Sequence, residues 1–237
     1  MIIELSLKLA MVYAKMEERE KAESGFAFCL MMQQQNCAGI PNDGVEGGGA
    51  GDGSKPPRAQ LSEEDHNSLA LLGVVQNSYA HYEFLEGHLP AGRKLLEAAL
   101  KTARRVYAPY HANCIHLLSD LANVESRLEM PKNARARLEQ AVDLLKSVSC
   151  PASKREKQEC VTALCSLYCQ WALLEANQGA FRVANKYLAE AQLLTSQLSA
   201  DARQQCQEQM TQVEAMIQRW QGMEACMEDL LVPNEEC

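Results

Sequence analysis

The sequence predicts an all-α chain: an array of helical-hairpin repeats, an α-solenoid, closed by a C-terminal capping helix. Three observations carry this. Ala, Leu, Glu, Gln and Lys dominate, aromatics are only 5% of residues, and the Val/Ile alternation that strands need is nearly absent. Amphipathic segments of helical period alternate with short polar breaks that hold Pro or Gly. Four segments then repeat one packing pattern, an alanine, a large apolar residue four later and a small residue three after that. The instances are Ala22/Phe26/Cys29, Ala91/Leu95/Ala98, Ala134/Leu138/Ala141 and Ala184/Leu188/Ala191. Small residues let paired helix backbones approach, and the large one fills the gap toward the next repeat.

Taken in order, residues 1–35 read as the first hairpin. Its first helix has Leu5, Leu9, Val12 and Tyr13 on the packing face, and its second carries Ala22, Phe26 and Cys29. Residues 36–61 hold seven of the 13 glycines and almost nothing to bury, which predicts a disordered insertion. Residues 62–199 read as three further hairpins. Ser62 caps a helix over 63–85 that carries Leu69, Leu72, Val75, Tyr79, Tyr82 and Leu85, and a helix over 90–106 follows. Helices over 110–128 and 132–147 flank Pro131, which lacks the N–H to continue one helix and suits the start of the next. Ser153 caps a helix over 154–177 that ends at Gly179, and 180–197 pairs with it. Residues 200–231 form one amphipathic helix that caps the array, and 232–237 fray as a flexible tail.

Several function classes lose support on composition. A net charge of −8 gives no global nucleic-acid footprint, and the run Arg93-Lys94, Lys101, Arg104-Arg105 reads as a solvated helix face. No apolar run approaches the roughly 18 residues of a membrane helix. Gly48-Gly49-Ala50-Gly51 lacks the Gly-Lys-Ser/Thr ending of a phosphate loop. The ten cysteines contain no CxxC pair, so no metal site is expected, and Cys165 with Cys169 reads as buried reduced thiols on one helix face. His81 and His116 have no orienting acid at a catalytic spacing. No catalytic residue, cofactor or enzymatic activity is expected. The chain opens inside a helix pattern, without an Arg-rich presequence, so an upstream segment is expected to precede it.

The repeated pattern resembles the tetratricopeptide repeat, whose paired antiparallel helices stack into a superhelix. The usual period of that family is about 34 residues. The longer spacing here is similar to that of kinesin light chains. A closer resemblance is carried by Ile2-Ile3-Glu4-Leu5-Ser6-Leu7-Lys8-Leu9-Ala10 with Tyr13, by Gly25-Phe26-Ala27-Phe28-Cys29, by Tyr79-Ala80-His81-Tyr82 and by Leu117-Leu118-Ser119-Asp120-Leu121-Ala122. These segments resemble a mitochondrial branch of the family and weaken as a match after about residue 150. That resemblance implies a non-catalytic scaffold at the mitochondrial inner membrane. Its partners would be respiratory complex III (cytochrome bc1), including the Rieske iron-sulfur subunit, and it would support assembly of the complex and clearance of Rieske fragments. The alternative reading is a cytoplasmic cargo adaptor of the kinesin-light-chain kind.

In arrays of this type the first helices line a binding groove. Residues one turn from the packing positions are the candidates to face it: Asn77, His81, His116, Ser119, Asn123, Arg127 and Asn177. Asparagine amides both donate and accept, which suits a partner's backbone, and an arginine fork suits a carboxylate.

Overall fold

A computed structural model describes residues 2–41, 61–147 and 153–231, the side chains of Lys154 and of residues 225–231 excepted. Most of the Gly-rich insertion and the C-terminal tail lie outside the described residues. Among those described the chain forms nine α-helices and no strand: α1 (Ile2–Lys15), α2 (Arg19–Cys37), α3 (Glu63–Leu85), α4 (Leu89–Val106), α5 (Ala112–Arg127), α6 (Pro131–Lys146), α7 (Lys154–Asn177), α8 (Phe181–Thr195) and α9 (Ala200–Leu231). The all-α solenoid expectation is borne out. Two compact units divide the chain, Met1–Leu128 with α1–α5 and Glu129–Cys237 with α6–α9.

The caps follow local chemistry. The hydroxyls of Ser62 and Ser153 each accept a hydrogen bond from a backbone N–H three residues on, Asp65 and Glu156, at 3.1 Å. Pro90 and Pro131 stand in the first turns of α4 and α6, where a missing N–H costs nothing. α2 runs to Cys37, beyond the boundary expected near 35, because Cys37 and Ile40 bury against Leu69 and Leu72 of α3.

Four turns share one conformation. Glu17, Gly87, Glu129 and Gly179 all take positive φ, at 61°, 85°, 58° and 73°. Each precedes by five residues a small buried residue, Ala22, Gly92, Ala134 and Ala184. Each of those lies twelve residues after a buried alanine of the preceding helix, Ala10, Ala80, Ala122 and Ala172. The repeat is therefore set at both ends of every turn. Glycine adopts positive φ without the Cβ penalty that Glu17 and Glu129 bear. Glu129→Gly is expected to raise stability by about 0.5–1 kcal/mol net of glycine's extra chain entropy. Urea denaturation measures it, and a loss of stability would refute the strain.

The structure corrects three sequence expectations. In α4 the buried set is Gly92/Leu96/Ala99, one residue on from Ala91/Leu95/Ala98. Both sets have the same spacing, so periodicity could not separate them. The Phe84 ring lies against Gly92 so closely that a Cβ there would collide with it. With Gly92 in place, the small residues are spaced 70, 42 and 50. In α1 the buried residues are Ile3, Leu7 and Ala10, whereas Leu5, Leu9 and Val12 are exposed. Leu85, expected in the core, is exposed at the end of α3.

In the first unit, α2 packs across α3. Phe26 is fully buried and its ring meets Tyr79 and Tyr82 at centroid distances of 5.4 and 5.0 Å. The Tyr82 hydroxyl reaches back to donate to the Arg19 carbonyl. Burial and the neighbouring carboxylates of Glu83 and Glu23 push the Tyr79 phenol up to about 12.

An ion pair recurs at the same register. Glu83, Glu125 and Glu175 hold one position on α3, α5 and α7, and all three are buried. Arg93, just after Gly92, donates to Glu125 at 3.0 Å, and Arg135, just after Ala134, donates to Glu175 through two nitrogens at 2.6 and 2.7 Å. A buried carboxylate needs such a partner because desolvation penalises its charge. Arg93 was expected on a solvated face, but this pairing makes it an inter-helix tie. The equivalent residue on α2 is Glu23, which cannot serve, and Glu83 is instead met by His88 at 2.9 Å.

Candidate functional site

In the first unit, α1, α3 and α5 each carry a stripe of side chains turned from the core at matching register. On α3 the stripe is Val74, Ser78, His81 and Leu85, and on α5 it is His116, Asp120, Asn123 and Arg127. His81 Nε2 lies 3.4 Å from Asp120 Oδ2, which ties the two stripes edge to edge. His81 also meets the Phe84 ring edge-on at 5.9 Å.

Of the sequence candidates, His81, His116, Asn123 and Arg127 are exposed on this face. His81 and Asn123 hold equivalent positions, 42 residues apart. Asn77 and Ser119 form a second equivalent pair, half-buried one step nearer the core. The side-chain oxygen of Asn77 is buried and accepts no hydrogen bond. Asn177 is exposed at the end of α7, in the other unit. Sequence reasoning missed Asp120, although it lies inside a quoted segment. Its partner is 39 residues away, and only alignment of the repeats places Asp120 on the stripe. It also missed the exposed apolar Val74 and Leu85 beside His81, which give the face a mixed character.

The hydrogen bond to Asp120 raises the His81 pKa, against a smaller opposing effect of burial. The sign follows from linkage. A raised folded-state value stabilises the fold fully below the unfolded pKa, and that contribution is lost as pH rises through the folded pKa. An NMR titration is therefore expected to place the His81 midpoint above that of an ordinary histidine, and Asp120→Asn to bring it down. An unchanged midpoint in that variant would remove the pairing.

In the second unit, Trp171 stacks on Tyr187 at 4.6 Å and Lys146 lies over the Tyr168 ring at 5.6 Å, so these aromatics join α7 to its neighbours. Burial pushes the Cys165 and Cys169 thiols up to about 12, which keeps them protonated and unreactive at neutral pH. The seven cysteines among the described residues are all free. Among the described residues no three His, Cys, Asp or Glu side chains are placed to hold a metal ion, and no helix is long and apolar enough to cross a membrane.

The geometry is that of a helical-repeat scaffold whose first unit carries an exposed, mixed polar and apolar lateral stripe. The tetratricopeptide repeat family model matches residues 71–147. It is similar to the protein named tetratricopeptide repeat protein 19, mitochondrial. The mouse protein is 28% identical over 150 residues, covering 63% of this chain and 38% of the relative, and the human protein is 27% identical over 150 residues, 63% of this chain and 36% of the relative. The chain thus matches little over a third of the length of these relatives. A crystal structure of BtubC (BKLC) from P. vanneervenii shares the fold, with a TM-score of 0.53, 16% identity, 99% of this chain and 84% of the other covered. The matched repeat and the shared fold point to a protein-interaction scaffold.

Proposed function

We propose that this chain is a mitochondrial adaptor that binds respiratory complex III and supports its assembly and the clearance of Rieske-subunit fragments. The observation that carries the binding role is the exposed stripe of α5, His116, Asn123 and Arg127, joined to α3 through His81 and Asp120 and serving no packing purpose of its own. Asn77 and Ser119 line its inner margin, and Asn177 is a separate candidate contact on the second unit. The four hairpins are the interaction scaffold, α9 closes it, and residues 36–61 are an insertion between the first and second hairpins. The name of the mitochondrial relatives supports a mitochondrial location; the complex III partner and the inner-membrane site are part of the proposal.

Asn123→Ala combined with Arg127→Ala tests this reading. The double variant is expected to lose co-purification with the Rieske and cytochrome subunits from solubilised mitochondria. Its melting temperature should match the parent, since both side chains are exposed. Undiminished recovery of those subunits would overturn the assignment.

A further inference from the structure

Three thiols of the second unit gather in one buried contact. Cys165 and Cys169 stand one turn apart on α7, and Cys206 comes to them from α9. All three are buried. Cys165 and Cys206 belong to one core cluster with Val161 and Leu198. The Cys165 thiol is within hydrogen-bond reach of the Cys206 sulfur, and it also reaches the Ala191 carbonyl at 3.6 Å. Packing alone does not call for a thiol at this place. In the register of the repeats, the positions equivalent to Cys165 hold Ile3, Gly73 and Ile115.

We infer that Cys165 and Cys206 are a redox pair, oxidised by a low-molecular-weight disulfide to a bond that staples α9 to α7. This goes beyond the scaffold reading and uses none of the residues of the α5 stripe. In the closed fold burial keeps both thiols protonated and shielded. Exchange starts when α9 lifts briefly from α7, a local opening far short of unfolding. Cys206, carried out on α9, attacks the small disulfide as its thiolate. A mixed disulfide forms and the first small thiolate leaves. As α9 closes, the Cys165 sulfur displaces the second. Two protein thiols are oxidised, one small disulfide is reduced to two thiols, and the protons of the cysteines pass to the leaving thiolates. The new bond closes a loop that spans α8, which removes freedom from the unfolded chain. The hold on α9 thereby follows the thiol–disulfide balance of the surroundings.

Incubation of the folded full chain with glutathione disulfide tests this, read by peptide mapping and by melting temperature. A Cys165–Cys206 linkage is expected, with the melting temperature raised by about 5–10 °C and returned by a thiol reductant. Cys206→Ala should abolish the rise, and Cys169→Ala should keep it. If either variant fails to fold, the peptide map of the parent chain decides alone. Persistence of both cysteines as free thiols would overturn the proposal, as would a bond from Cys206 to Cys169. A Cys165–Cys206 bond that forms only after denaturation, or that leaves the melting temperature where it was, overturns it as well.

Discussion

Arg93→Ala is expected to destabilise the first unit by about 3 kcal/mol. The side chain is itself three-quarters buried, and it donates to Glu125, whose side chain is wholly buried. Removing the guanidinium leaves that carboxylate desolvated without its strongest donor. The double replacement Arg93→Met with Glu125→Leu should recover most of the loss, since neither charge then remains to be solvated. Urea denaturation of the three chains measures both. Equal destabilisation by single and double variants would show that the side-chain volumes, and not the charges, carry the effect. The same logic applies to Arg135 and Glu175 in the second unit, where the two-pronged geometry is better but the arginine more exposed.

Phe26→Ala should cost about 3–4 kcal/mol, the usual loss for a buried aromatic that leaves a cavity. Phe26 is the large residue of the first repeat pattern. It is 1% exposed and stacked on two tyrosines of α3, so its removal strips apolar area and ring contacts together. Phe26→Leu retains most of the volume and should cost about 1 kcal/mol. Near-equal losses for both variants would show that ring stacking matters more than filled space.

The fold was legible because a small–large–small spacing repeated four times is a strong constraint. It states how closely two helices approach and where the next one docks. The register of α4 was not legible. Ala91, Leu95 and Ala98 fit the spacing as well as Gly92, Leu96 and Ala99 do, and the choice rests on Phe84, a residue of another helix. The face of α1 was misassigned for a related reason. Leu5, Leu9 and Val12 are more apolar than the Leu7 and Ala10 stripe that faces the core, and hydrophobicity alone cannot say whether a neighbour exists to cover them. Of the site, the exposed positions of α5 followed from helix periodicity. The His81–Asp120 contact did not, because it joins two helices that are not consecutive in the chain. The recurring arginine–glutamate ties became visible only once the true register was known.

The step of twelve positions from the buried alanine before each turn to the small residue after it is the same at all four turns, while the distance from one such small residue to the next is 70, 42 or 50. The differences in spacing therefore fall outside the turns: α7, at 24 residues against 16 in α5, is the main source of the step from 42 to 50, and residues 36–61 lie within the spacing of 70. A turn tolerates no added length, since its left-handed residue and the small residue five positions on must stay in step. A join between hairpins carries no such obligation, and lengthening it costs only the slow logarithmic entropy of a longer loop. The architecture is thus permissive to inserted sequence at those joins, and new segments can be acquired there without disturbing the ties that hold neighbouring helices together.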